Sequence, residues 1–360
     1  MEALRLDAVV ASTWENLTYL SGVYIYTQRA IASRRSALLL PAEGDATYIF
    51  CSIEDAQIRD ATWIDDLHGY REFTEDPIEL LISALRQRRF HGKRVGLERR
   101  YVGADVVARI EAGAPASEYV DAAELFEQLR AIKSPDEIVV MEKAATATRE
   151  AHDRAFSQAH AGETEKEVAN RLLDHLFALG ADETAFITVA TGPNSVYTHH
   201  VAGARRIEVG DIVRTDVGGM FGGYYSDLGR TYVAGEPTVR QAENYRRLRA
   251  IQEEMLALIT VGREVREIFE ACRAAFVRDG LDFHMPHIGH SIGLELHEWP
   301  IIHPHEHAVL AENMILNIEP IAIDADTKEL FFVEDLVQVT PDGPRLMSGT
   351  LAPAEIPVIG

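Results

Sequence analysis

The chain has 360 residues, 47% of them hydrophobic, and a formal net charge of −22 at pH 7. That length suits two cores better than one, and the apolar content is enough to fill both, which argues against general disorder. The negative charge argues against nucleic acid or an anionic membrane surface as a partner.

Only two cysteines, Cys51 and Cys272, are present, too few and too far apart for a disulfide framework or a thiolate metal site. No basic segment followed by an apolar stretch opens the chain, and no run of about 18 apolar residues occurs. A cytoplasmic, reducing location is the expectation. Strand-like runs at residues 8–10, 37–40, 46–50 and 95–97 alternate with helical stretches at 77–88 and 104–112. This alternation predicts a small α/β domain over residues 1–130.

Ser134-Pro135-Asp136-Glu137 then predicts a helix start, with Ser134 as N-cap, Pro135 in the first turn and Glu137 completing a capping box. The domain boundary is placed near Ala131, and residues 131–360 form the second domain. Thr164 and Glu167 predict another capped helix, with Val168, Leu172, Leu176 and Leu179 on one face and Gly180 ending it. Turn-rich, strand-like sequence follows to Gly235. A helical block from about Glu243 to Asp279 breaks near Gly262, and strands resume around Ile288. Helices followed by a hairpin, twice over, predict a rough internal twofold.

Each hairpin carries two carboxylates. Asp216 and Asp227 flank a turn centred between Phe221 and Gly222, and Glu319 and Glu334 flank one centred between Asp326 and Thr327. Directly opposed residues of an antiparallel pair share a face, with Cβ atoms roughly 4.5–5.5 Å apart. Like charges that close do not both stay ionised without a cation. The spacing therefore predicts a metal site, and His290 lies between the pairs in sequence. Four carboxylates and one imidazole suit Mn²⁺, Co²⁺ or Fe²⁺. Two such ions roughly 3.5–4 Å apart lower the pKa of a shared water, which suits hydrolysis of an unactivated bond.

Several strings mimic other chemistry. Gly289-His290-Ser291-Ile292-Gly293 satisfies the nucleophile-elbow pattern, but Pro300 follows before a helix could mature. His297-Glu298 lacks the second histidine of a zincin, since residue 301 is isoleucine. His303, His305 and His307 surround Pro304 in what reads as a loop. Gly218, Gly219, Gly222 and Gly223 have no P-loop lysine after them and read as turn and close-packing residues.

The ordered motifs go further. They include Glu15-Asn16-Leu17-Thr18-Tyr19-Leu20-Ser21-Gly22, Ile132-Lys133-Ser134-Pro135, Gly192-Pro193-Asn194-Ser195, Thr198-His199-His200, Gly289-His290-Ser291-Ile292-Gly293 and Val333-Glu334-Asp335. Together they resemble the creatinase, prolidase and methionine aminopeptidase superfamily over nearly the whole chain. That resemblance implies an α+β architecture: a pita-bread catalytic domain with pseudo-twofold halves, preceded by a smaller creatinase-like α/β domain. It also implies Asp216, Asp227, His290, Glu319 and Glu334 as ligands of two divalent ions. Manganese is the first choice, with cobalt, zinc or iron as alternatives. Asp227 and Glu334 would bridge the ions, and Glu319 would also accept the proton of a metal-bridging hydroxide. His199 and His297 would contact substrate, whereas His200 reads as a packed or hydrogen-bonded histidine.

The implied activity is hydrolysis of Xaa-Pro bonds in short peptides by a homodimer in which one N-terminal domain approaches the partner's site. Phe221, Tyr224 and Trp299 are candidates to line a proline pocket. Two departures bear on this. Pro286 stands where the prolidase pattern often has a histidine, and Phe332 stands where it commonly has an arginine. A hydrolase or lyase acting on a small non-peptide substrate, such as an ectoine-hydrolase-like enzyme, and a non-catalytic binding protein are the rival readings.

Overall fold

The structure, a computed structural model, describes residues 1–116 and 118–360 and divides into two compact units, Met1–Arg130 and Ala131–Gly360. The first unit is built on strands β1 (Ala8–Ala11), β2 (Ala37–Pro41), β3 (Thr47–Cys51), β4 (Asp66–Tyr70), β5 (Arg94–Leu97) and β6 (Glu118–Asp121). They form one mixed sheet in the order β4-β3-β2-β1-β5-β6. Ala8 and Val10 enter one apolar cluster while Val9 and Ala11 enter the other. Both faces of the sheet are therefore covered, which explains why β1 reads as a continuous apolar run.

The second unit begins with the helix Pro135–Phe156, whose Ser134 capping box with Glu137 is formed as expected. The helix Glu165–Ala178 carries the same device on Thr164 and Glu167. Val168, Leu172 and Leu176 are buried along its length, each contributing about 1.5–3 kcal/mol by burial. The third helical block starts earlier than its apolar pattern suggests. Thr238 and Gln241 make a further capping box and the helix runs Val239–Ala257, with Val265–Arg278 following past Gly262.

The strands of this unit are β7 (Glu183–Thr191), β8 (Ile212–Phe221), β9 (Tyr224–Tyr225), β10 (Leu228–Ala234), β11 (Gly289–Ser291), β12 (Glu298–Ile301), β13 (Ile315–Ile318), β14 (Ile321–Asp324), β15 (Glu329–Phe332), β16 (Asp335–Thr340), β17 (Gly343–Leu346) and β18 (Val358–Ile359). β18-β10-β8-β7, with β9 beside β8, packs against the first helix pair. The sheet β12-β11-β13-β16-β17 packs against the second pair. The chain thus has the α+β architecture expected, with each half of this unit supplying one hairpin. Among the described residues no helix is long and apolar enough to cross a membrane.

The register of the first hairpin corrects the sequence expectation. Gly229, not Asp227, lies opposite Asp216, and Tyr224 lies opposite Phe221. The turn is Gly222-Gly223, with φ of 58° and 89°. A turn centred one residue earlier would force Phe221 into that left-handed region, which glycine adopts without steric cost. Asp227 sits two residues off, in the break between β9 and β10. A slip of two preserves the face, so Asp216 and Asp227 are diagonal neighbours. The second hairpin keeps the expected register. Ile321 opposes Phe332 and Ile318 opposes Asp335, which leaves Glu319 and Glu334 in the break between two ladders.

Asp324 ends β14 with its side chain only 2% exposed. Its carboxylate accepts hydrogen bonds from Arg240 Nη2 at 2.7 Å, Asn244 Nδ2 at 2.8 Å and the backbone N–H groups of Asp326 and Thr327. Burial by itself would raise its pKa, but these donors outweigh it and hold the value at about 2. A depressed acid adds stability that is complete above its unfolded pKa of about 4 and disappears as pH falls through its folded pKa. About 1–2 kcal/mol, allowing for the half-exposed Arg240, should vanish on acidification from pH ~4 to pH ~2. Urea unfolding of Asp324→Asn beside the parent checks this. The parent's advantage at neutral pH should close at the acid end.

Candidate active site

The breaks in the two hairpins face a cavity of about 770 Å³ in the second unit, and Asp216, Asp227, Glu319 and Glu334 all line it. Asp216 reaches it from within the β8 ladder, opposite Gly229. Asp227, Glu319 and Glu334 reach it from the breaks between ladders. His290 comes from the middle of β11, opposite Asn317 of β13, and is fully buried behind the acids. Its Nε2 lies 3.6 Å from Glu319 Oε1 and 3.8 Å from Asp227 Oδ2. Asp227, His290 and Glu334 each offer one ligand atom within 4.8 Å of the other two.

The protons and charges of this cluster fit a cation. His290 Nδ1 is 3.0 Å from the Ser291 carbonyl. Donation there leaves the Nε2 lone pair facing the carboxylates, the tautomer a metal-binding histidine needs. Buried Asp227 Oδ1, Glu319 Oε1, Glu334 Oε2 and His290 Nε2 have no hydrogen-bond partner. Burial, then the surrounding acids, push the carboxyls of Asp227 and Glu334 well above their ordinary range. Burial likewise raises Asp216 to about 7, against the opposing pull of Arg214. Four acids so crowded ionise together only around positive charge. The oxygen-rich set with one imidazole suits divalent ions.

His199 and His297 both line the cavity. The His297 ring stacks on His290 with centroids 3.8 Å apart. Enclosure by the cavity wall, and then His290, lower its pKa to about 4. His200 also reaches the cavity, but its Nε2 is 2.8 Å from Glu165 Oε2, a hydrogen-bonded role as expected. Phe221, Tyr224 and Trp299 do not line the cavity. They pack against three different apolar clusters, and the apolar wall comes instead from residues such as Phe186, Ile321 and Phe332.

Three further residues, which the sequence pattern left without a role, belong to the site. His287 lies 3.3 Å from Glu319 Oε1, one position beyond the proline that displaced the expected histidine. Asn317 donates from Nδ2 to Glu334 Oε1 and so orients that acid. Its position two residues before Glu319 was visible, but its partner was not. Arg214 lines the cavity beside Asp216. A charge inside an otherwise apolar strand was the signal for it.

The decoys resolve as expected. Ser291 lies on β11, buried, and donates to the Ile315 carbonyl at 3.0 Å, so it is no nucleophile on a strand-to-helix turn. Glu298 pairs with Lys133 rather than facing the cavity. His307 pairs with Glu264, and the stretch from His303 to His307 is not among the residues lining the cavity.

Comparison with known proteins adds independent support. Residues 140–341, more than half of the chain, match metallopeptidase family M24, and residues 1–132 match the creatinase/prolidase N-terminal domain. An Xaa-Pro dipeptidase of Pyrococcus furiosus is 33% identical over 229 residues, covering 63% of this chain and 66% of that protein, just under two thirds of its length. A probable dipeptidase, PepE, of Mycobacterium tuberculosis is 29% identical over 361 residues, covering 94% of this chain and 88% of that protein. The crystal structure of the prolidase from Pyrococcus horikoshii OT3 superposes with a TM-score of 0.85 at 26% identity, covering 98% of this chain and 96% of that one. A family match of that extent, on a fold whose paired hairpins gather four acids and a histidine, leads to one conclusion: the chain belongs to metallopeptidase family M24.

Proposed function

We propose that the protein is a divalent-metal-dependent peptidase that cleaves Xaa-Pro bonds in short peptides. The observation that carries this reading is the set of buried acceptor atoms on Asp227, Glu319, Glu334 and His290 that lack any partner around one cavity. Asp216, Asp227, His290, Glu319 and Glu334 would hold two ions. Manganese is the first choice, then cobalt, zinc or iron. Such ions, when bound, lower the pKa of a water and polarise a carbonyl oxygen.

The chain's own residues supply the rest. Glu319, 3.3 Å from the His287 ring, takes a proton from the attacking water and returns it to the departing imino nitrogen. His297 and His199 stand on the cavity wall where a substrate carbonyl oxygen gains negative charge, and donate to it. The bond before proline is a tertiary amide without an N–H, so a site that grips no such hydrogen handles it better than an ordinary peptidase. Phe186, Ile321 and Phe332 offer the flat ring an apolar wall. By the same reading the protein works as a homodimer in the cytoplasm, where its two buried, unpaired cysteines stay reduced.

A panel of dipeptides and tripeptides with and without proline second, assayed with Mn²⁺, Co²⁺ or Zn²⁺ and then with a chelator, tests the proposal. Chelator-sensitive cleavage of Xaa-Pro is the expected result. Opening of a small cyclic amidine or amide with no Xaa-Pro cleavage would keep the hydrolase and discard the dipeptidase.

A further inference from the structure

Arg214 stands two residues before Asp216 on β8, so both side chains leave the strand on one face. Among the described residues lining the cavity it is the one with a permanent positive charge. It is 1% exposed, and a charge so enclosed needs hydrogen bonds. Three backbone carbonyls provide them. Nε donates to Ser195 at 3.2 Å, and Nη2 donates to Tyr197 at 2.7 Å and Thr198 at 2.6 Å. The Phe332 ring lies against the guanidinium, 5.8 Å from its carbon to the ring centroid.

One end of the fork is left over. Nη1 is 3.9 Å from Asp216 Oδ2, beyond hydrogen-bond reach. The guanidinium is thus held rigid by four partners with only Nη1 uncommitted, and the other titratable residues lining the cavity are acids and histidines. That nitrogen is a preorganised, charged donor for one oxygen of a carboxylate. Phe332, standing where an arginine was expected, serves as the platform against which this guanidinium lies.

We propose that Arg214 is a specificity-determining residue that receives the free C-terminal carboxylate of a dipeptide, so that the protein selects peptides ending one residue beyond the cleaved bond. This rests on the peptidase reading above. A competing role, fastening the carbonyls of residues 195–198 and so the loop of His199, predicts a different pattern.

The test compares Ala-Pro with its C-terminal amide on Mn²⁺-loaded protein. The parent is expected to favour the acid on the order of tenfold or more in kcat/KM. Arg214→Gln should lose at least about tenfold more on the acid than on the amide, chiefly through KM. Equal losses on both substrates, or no loss on the acid, overturn the proposal. Should Arg214→Gln fail to fold, Arg214→Lys carries the test, because it keeps the charge and gives up the planar guanidinium held by the three carbonyls. A fall in acid preference of about threefold or more supports the proposal, and an unchanged preference overturns it.

If the parent cleaves neither compound, the peptidase reading fails on its own, and thermal shift still reports on Arg214. The acid should raise the parent's Tm more than the amide does, and the difference should disappear in the variant. A difference that persists in the variant, or no shift with the acid, overturns the proposal.

Discussion

Replacing Asp227 with alanine is expected to cut turnover at least about a thousandfold, the several kcal/mol that ion-assisted polarisation supplies. Asp227 is 4% exposed, its Oδ1 has no partner, and its Oδ2 lies 3.8 Å from His290 Nε2. A surface carboxylate would give no such loss. The same variant should behave unusually in its stability. Without metal it should be at least as stable as the metal-free parent, because one of four crowded acids is gone. With Mn²⁺ it should gain less. A parent at a hundred times its Kd for the ion gains about 2.7 kcal/mol, and the variant should show only a fraction of that. Melting curves with Mn²⁺ and with a chelator, beside the kinetic assay, separate a lost ion site from a misfolded protein. Full turnover in the variant would end the metallopeptidase reading of this site.

The second large effect concerns stability alone. Lys133 Nζ lies 2.9 Å from Glu298 Oε2 with both side chains at most 2% exposed. Glu298 Oε1 also accepts from the backbone N–H of Leu294 at 3.1 Å, and Lys133 reaches Ser291 Oγ at 3.3 Å. Removing one partner leaves a buried charge uncompensated, at a cost of about 3–5 kcal/mol. Lys133→Met alone should therefore unfold the second unit at markedly lower denaturant. Lys133→Met with Glu298→Leu should recover much of the loss, since a buried pair replaced by apolar groups of similar volume is often neutral. Chemical unfolding of the two variants gives the answer. A double variant no better than the single would show that the hydrogen bonds to residues 291 and 294, rather than the pairing of charges, hold this corner together.

The two hairpins show why some of the site was legible and some was not. Both acid pairs were visible because each flanks a turn of ordinary length in an apolar strand context. The second register followed from symmetry about its turn. The first was misjudged by two residues, because Gly222 and Gly223 accept left-handed φ and Phe221 does not. The face survived the error only because strand side chains repeat every second residue. His287 shows the opposite case. Pro286 removed the expected histidine, and only the folded loop reveals that its neighbour reaches Glu319. Phe221, Tyr224 and Trp299 were assigned to the pocket by nearness in sequence, which says nothing about which side of a sheet a ring occupies.

The amino-acid sequence alone determined the capped helix starts at Ser134 and Thr164, the glycine turn chemistry, the apolar stripe of Val168, Leu172 and Leu176, and the ordered motifs that point to the family. Each of these acts within a few residues, so a short window carries it. The three-dimensional structure alone decided that Arg214 lies against Phe332, that Asn317 steers Glu334, and that Lys133 neutralises Glu298. Arg214 and Phe332 meet across separate strands, and Lys133 meets Glu298 from the far side of the domain sequence. Such meetings depend on sheet register and helix packing, which no local pattern encodes.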